Sequence, residues 1–348
     1  MKIKDAAAKL NISPRAIRFY EEKGLIAPAK QVGNQYRSFS EKEIWRLQTV
    51  ISLREAGMTI EDIKKALAQA ENIDQEELLY YLEMQRSVMF SQWLELKQII
   101  ETTDRMIELV RKRASLPLDD IFVLADGSKK LRELRTNWTD KWNFDHQALT
   151  HDERILNDAN EYKDYDQALR QVVQWVAPKA GERGLDIGTG TGNLAGKFLL
   201  QGIRMAAVDQ SMEMLKQASR KYAGLEVKRG NFLAIPYMDG QFDFIVTTFA
   251  LHHITDEQKQ LALGEMRRVL KPHGTICIAD LMFENASHRD AYLTSLNEQG
   301  HTGLADAVQN KYYSVCPSLL QWFEDNGYIT KHRQINELLH IVYAVPIR

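Results

Sequence analysis

The residue types able to do chemistry in this chain gather around one stretch, GLDIGTGTGN at positions 184–193. Gly188, Gly190 and Gly192 allow a tight turn and close backbone approach to a ligand, with Thr189 inside it. A dinucleotide fingerprint would need glycine where Asn193 stands, and a phosphate-cradling Walker loop would need Lys and Ser/Thr after Gly192. Asp186 closes the apolar stretch just before the turn. Its carboxylate would repel a pyrophosphate docked on the following helix and attract a cation. S-adenosylmethionine (SAM), with an α-ammonium, a sulfonium and no phosphate, suits that charge. Asp209 ends the next apolar stretch, Met205 to Val208, where an acid can accept both ribose hydroxyls. Gly230-Asn231-Phe232 ends a third, where a base edge and a stacking surface are available. The alternative, that both acids only cap helices, leaves the glycines without a purpose.

His252 and His253 follow the strand that ends Thr247-Thr248-Phe249. Either one could serve as a base, or both could simply pack at a helix start. Methyl transfer from a sulfonium is an in-line displacement that positioning can largely accelerate, so a base is needed only for a poor nucleophile. Trp138, Trp142, Phe144, Tyr162 and Tyr165 precede the turn and, with Phe249, are candidates for a lid or acceptor wall. Aromatics this dense also pack as core.

These residues need a scaffold that brings strand ends together. From Leu169 on, apolar strands at 184–187, 204–208, 225–228, 242–248 and 275–280 alternate with helical patterns, which means a parallel sheet covered on both faces. Segments near 328–335 and 339–345 look like a hairpin closing it.

The first half is organised differently. Net charge is −2 overall, yet residues 1–54 hold eleven Lys/Arg against five acids, a basic head on a more acidic body. Ser13-Pro14 is a helix start, Gly24 a helix stop, and Ser40 with Glu43 a capping box. A turn is expected at 32–37 and a break at Gly57. Helix, turn, helix and basic turn together read as a winged helix-turn-helix. Arg15 and Arg18 share one face of its second helix, with Ser13, Tyr20 and Lys23 nearby and Tyr36 and Arg37 on the wing. Residues 73–113 contain neither Gly nor Pro and form a helix of roughly 60 Å at about 1.5 Å per residue. Leu82, Met89, Leu96 and Val110 fall on one heptad position, and Leu78, Ile99 and Met106 on its partner. That stripe must be buried against a second copy as a coiled coil or against the chain's own second half. A linker at 115–136, with a helical piece from Lys129 to Arg135, leads into the second half.

Composition, with 44% hydrophobic and 26% charged residues, is that of a globular protein. No apolar run reads as membrane-spanning and MKIKDAAAKLNIS lacks a signal-peptide block, so a cytoplasmic protein is expected. Cys277 and Cys316 cannot build a disulfide framework or a four-ligand zinc site, and no metal is expected.

Residues 137–348 resemble the class I SAM-dependent methyltransferases that act on small molecules. GLDIGTGTG is similar to their first motif and VDQSMEML (208–215) to their second. GNFLAIPYMDGQFDFIVTTFALHHI (230–254) and MRRVLKPHGTICIAD (266–280) are similar to the motifs that follow. The resemblance implies an α/β Rossmann-like domain with a mostly parallel seven-stranded sheet. It places Asp186, Gly188 and Gly190 at the amino-acid part of SAM, Asp209 at the ribose, and Gln210 beside the adenine. Asn231 stands where the family has Asp, and Phe232 and Thr248 complete the set. SPRAIRFYEEKGLIAP (13–28) and NQYRSFSEKEIWRLQTVISLREAGMTIEDIKKAL (34–67) resemble MerR-type transcription regulators. That likeness implies a helical DNA-binding head at 1–72, a dimerisation coiled coil at 73–114 and a homodimer bound to double-stranded promoter DNA, acting indirectly on RNA polymerase. With no cysteine before Cys277, their metal-sensing branch is not expected here. The linker at 115–136 and the catalytic domain at 137–348 complete the chain. Two functions follow: a regulator that also methylates a small molecule, or a regulator whose second half senses SAM or a ligand without turnover. The (Asn/Asp)-Pro-Pro-aromatic motif of DNA amino-methyltransferases is absent at Thr247-Thr248-Phe249-Ala250, which speaks against DNA as acceptor.

Overall fold

The computed structural model describes all residues except 31–36, 56–58, 69–74, 113–117, 137–139, 158–161 and 348. Tyr36, Trp138, Gly57 and the wing turn itself therefore lie outside the described residues. The chain forms two compact units, Met1–Met89 and Phe90–Arg348.

The first unit contains α1 (Ile3–Lys9), α2 (Pro14–Glu22), β1 (Ala29–Lys30), β2 (Arg37–Ser38), α3 (Glu41–Glu55), α4 (Ile60–Ala68) and the start of α5 (Gln75–Lys112). The Ser13 hydroxyl accepts from the Ala16 amide at 3.1 Å and Pro14 opens α2, so the expected start is realised. The Ser40–Glu43 box closes reciprocally, at 2.8 and 3.2 Å. β1 and β2 pair antiparallel as the base of the wing. Ala6, Ile17, Ile26, Phe39 and Leu47 form one buried cluster, and Leu25, Val50, Leu53, Ile63 and Leu67 a second; Tyr20 packs against both.

In the second unit α6 (Leu118–Thr136), α7 (Phe144–Gln147), α8 (His151–Asn157) and α9 (Tyr165–Val176) precede the sheet. There follow β3 (Arg183–Ile187), α10 (Asn193–Leu199), β4 (Arg204–Asp209), α11 (Met212–Lys221), β5 (Glu226–Arg229), β6 (Phe242–Thr248), α12 (Asp256–Val269) and β7 (Leu270–Phe283). The chain ends through α13 (Ala286–Glu298), α14 (Thr302–Asn310), β8 (Ser314–Val315), α15 (Cys316–Asp325), β9 (Tyr328–Gln334) and β10 (Leu339–Pro346). Strand order is β5-β4-β3-β6-β7-β10-β9, with β8 added beside the end of β7. The first five strands run parallel, and β10 lies antiparallel to both its neighbours. Order reverses between β3 and β6, which opens a crevice at their C-terminal ends.

Within this unit the C-terminal part of α5 docks through Trp93, which lies 5.2 Å from the Arg268 guanidinium and 5.3 Å from Lys97 Nζ. Lys97 pairs with Asp239 at 2.5 Å. α6 begins eleven residues before the expected helical piece, and Arg135 near its end faces Glu265 of α12 at 3.9 Å, both side chains buried. The helix therefore packs on its own second half through one face. The heptad residues Leu82, Met89, Leu96, Ile99 and Val110 stay exposed on another.

Two glycines test this packing. A Cβ at Gly184 would meet the buried Phe244 ring at 2.2 Å, whereas at Gly264, inside α12, it would meet nothing within 4 Å. Gly184→Ala should cost about 1–3 kcal/mol. Gly264→Ala should add about 0.5–1 kcal/mol. Urea unfolding followed by circular dichroism reads both; the same sign for the two would contradict the packing described.

Candidate active site

At the crevice, Asp186 leaves β3 fully buried, and its Oδ2 accepts from the Thr189 hydroxyl at 2.7 Å and the Ala195 amide at 3.2 Å. Its Oδ1 has no hydrogen-bond partner among the described residues. Gly188 takes φ +67, and any Cβ there would lie 2.5 Å from that of Ala250, so the turn admits only glycine at that point. Asp209 joins the turn from β4. One carboxylate oxygen accepts from the Gly190 amide and the other from the Ser211 amide, both at 2.9 Å. Burial pushes the carboxyls of Asp186 and Asp209 up to about 7 and about 6.

The cavity over this turn is lined by Gly188, Thr189, Gly190, Asp209, Gln210, Asn231, Phe232, Thr248 and Phe249. Trp142, Phe144, Tyr162, Tyr165 and His253 also face it. Asp186 does not; it lies beneath the turn and holds it rather than reaching the opening. Phe249 adopts φ +52, rare for a bulky residue, with its amide bonded to the Ala279 carbonyl at 2.9 Å. In that pose its ring packs at a tilt against Tyr162 and Tyr165, with centroids 5.7 and 5.1 Å away. Asn231 turns its amide oxygen to the Leu233 and Ala234 amides, at 2.9 and 3.1 Å. Both oxygen lone pairs are thereby committed, which leaves the side-chain NH2 as the donor this residue can offer.

The two histidines separate. His252 is fully buried, its Nδ1 2.6 Å from Asp280 Oδ1, and it does not line the cavity. His253 does, held between Trp142 and Phe144 at ring distances of 4.5 and 4.9 Å. Burial holds the His253 ring well below the usual histidine range, so it is neutral, and its Nδ1 has no hydrogen-bond partner among the described residues.

Sequence reasoning missed the groups that fix the lid. Asp145 Oδ1 accepts from the Ser211 hydroxyl at 2.6 Å. Asp152 accepts from Thr191 at 2.6 Å and Asn193 at 3.1 Å, and pairs with Lys221 at 2.6 Å. Asn193, read only as an absence of glycine, thus anchors α8 to the turn. Gln147, His151, Arg154 and Lys311 also line the cavity. Their polar side chains lie among the aromatics and follow no motif.

In the first unit, Arg15, Arg18 and Lys23 are exposed, and Lys23 Nζ lies over the Phe19 ring. Arg37 is committed to Glu21 at 2.5 Å, a pairing that i,i+3 reasoning along one helix could not reveal.

A buried acid under a glycine turn, a second acid one strand over and an aromatic cover at a sheet reversal define a nucleoside-dependent group-transfer fold. Residues 185–274 match the family described as methyltransferase domain, and residues 1–70 the MerR HTH family of regulatory proteins. A methyltransferase of Bacillus pumilus is 31% identical over 201 residues, covering 58% of this chain and 94% of that protein. The YrrT methyltransferase of Bacillus subtilis is 31% identical over 203 residues, covering 58% and 95%. Among solved structures, the YcgJ protein of Bacillus subtilis aligns with a TM-score of 0.43 at 18% identity, covering 53% of this chain and 99% of that one. The chain belongs to this methyltransferase family and carries a MerR-type helix-turn-helix at its N-terminus. Its cofactor is SAM. The residues present fit that group: a turn that excludes any Cβ at Gly188, an unpartnered buried carboxylate oxygen on Asp186, and Asp209 on the cavity wall. No helix among the described residues is long and apolar enough to cross a membrane.

The buried acids set a pH dependence. Their folded pKa values lie above that of an unfolded Asp, near 4, so the folded state binds more protons between about pH 4 and 7. Stability of the ligand-free protein should fall as pH rises through that window and level off above it. Asp186→Asn should flatten the profile; urea midpoints at pH 5 and 7.5 measure it, and equal slopes for variant and wild type would contradict it.

Proposed function

We propose that the chain is a promoter-binding regulator that methylates a small molecule and couples that site to its DNA-binding head. The observation that carries the reading is the aromatic enclosure of Trp142, Phe144, Tyr162, Tyr165 and Phe249 over the glycine turn, suited to a small planar or apolar acceptor. Bound SAM supplies a methyl group already activated on a sulfonium. Gly188, Thr189 and Gly190 let the backbone approach the amino-acid end, with Asp186 giving the turn its negative character. Asp209 accepts from the ribose hydroxyls. Gln210, Asn231, Phe232 and Thr248 border the base, with Asn231 donating to a ring nitrogen rather than accepting from the amino group. His253, neutral and with a buried Nδ1 that bonds to none of the described residues, is the group at the cavity wall placed to take a proton from an acceptor. His252 with Asp280 positions the loop that carries it.

In the head, Ser13, Arg15, Arg18 and Lys23 meet promoter DNA, with RNA polymerase affected through the promoter. The exposed stripe on α5 pairs two copies as a coiled coil, and α5 contributes residues to both units, which supports coupling. The reaction belongs in the cytoplasm, where promoter and donor meet.

Incubation with SAM and fractionated metabolites should release S-adenosylhomocysteine, and Asp209→Ala should abolish it. Tight SAM binding with no product in any fraction would leave a sensor without turnover and refute the enzyme assignment of this site. Arg18→Ala should weaken promoter binding by more than about 1 kcal/mol while turnover is kept. Equal loss of both would contradict a division of labour. Leu96→Lys with Ile99→Lys should shift the protein to monomer in sedimentation velocity; an unchanged dimer would place the interface elsewhere.

A further inference from the structure

Outside the cavity, three residues from three consecutive elements converge at the antiparallel edge of the sheet. Cys316 opens α15, His332 lies in β9 and His340 in β10. In the register Val342 faces His332, and His340 is two residues from Val342, so the two imidazoles are diagonal neighbours on one face. Their rings are stacked, 9° from parallel, and His332 Nε2 lies 2.9 Å from His340 Nδ1. One donor atom from each of the three residues lies within 4.8 Å of the others. His340 is fully buried and its Nε2 has no hydrogen-bond partner among the described residues, a cost that a purely structural core would be expected to avoid.

We propose that Cys316, His332 and His340 form a binding site for a borderline transition-metal ion, zinc first among them. One sulfur and two imidazole nitrogens are the ligands such ions prefer, and three protein ligands leave the fourth position to water. His332 is exposed, which gives the ion a path from solvent. Burial keeps the Cys316 thiol protonated, up to about 11, and the His340 ring neutral, down to about 4. On binding, the thiol proton leaves to solvent and the S–metal bond forms. The proton between the two imidazoles moves to an outer ring nitrogen, so each ring offers a lone pair. About one proton is released per ion. Glu284 and His288 flank the site, the first acting electrostatically on His332 and the second on His340. The ion clips the β9–β10 hairpin to the β8–α15 junction. His340 also pairs across β10 and β7 with Asp280, the residue that holds His252.

Full-length protein stripped with chelator and titrated with Co²⁺ tests this. A sulfur-to-cobalt charge-transfer band and intense visible bands should saturate at one ion per chain and vanish on addition of zinc. Cys316→Ser should lose the charge-transfer band, and His332→Ala should weaken affinity by roughly tenfold or more. His332 is exposed, so its variant remains informative if His340→Ala fails to fold. Absence of the band in the wild-type protein, or wild-type affinity in both Cys316→Ser and His332→Ala, would overturn the assignment.

Discussion

Asp186, one residue before the end of β3, is out of contact with water, and its Oδ2 draws in the Thr189 hydroxyl and the Ala195 amide. Those two bonds fold the chain back over the strand and aim the first turn of α10 at the crevice. Asp209 grips the same turn from β4 through the Gly190 amide. The glycine turn is thus held between two carboxyls in a site that disfavours their charge. A ligand bringing cationic and hydroxyl donors relieves that cost; a pyrophosphate would deepen it. The electrostatics of the turn thus favour a cationic ligand over a pyrophosphate.

The cover depends on the same turn. α8 is fastened to it by Asp152 through Thr191 and Asn193, and α7 to the start of α11 by Asp145. Trp142 and Phe144 can then meet His253, while Tyr162 and Tyr165 meet a strained Phe249. Below the sheet, Arg268 binds the Tyr237 and Ile235 carbonyls at 2.7 and 2.9 Å and also lies over Trp93 of α5. The loop after β5 and the long helix thus share one guanidinium.

Much of this was legible in the sequence because local signals agreed with the tertiary result. The apolar runs of β3, β4 and β6 had nowhere to go but a covered parallel sheet, and the caps at Ser13 and Ser40 act within one turn of themselves. What was not legible depends on partners distant in sequence. Nothing local separates His252 from His253; Asp280, on another strand, does. Nothing in Gly230-Asn231-Phe232 shows that the Asn231 amide oxygen is used by the Leu233 and Ala234 amides of its own loop. Arg37 read as a DNA contact, and Glu21 holds it. Gly127 and the acids at Asp119 and Asp120 disguised the first half of α6 as linker. The Cys316–His332–His340 cluster has no spacing signature, since strand register and not sequence interval brings its members together.

On the proposed reading the turn binds a cationic nucleoside that Asp209 meets on the cavity wall and Asp186 attracts from beneath the turn. Calorimetric titration of the full chain with SAM at pH 6.5, in buffers of different ionisation enthalpy, measures it most directly. Protons should be released as the donor binds, because both acids are partly protonated beforehand and ionised afterwards, and Asp186→Asn should reduce the number. Tight binding without proton release, or with uptake, would contradict the account.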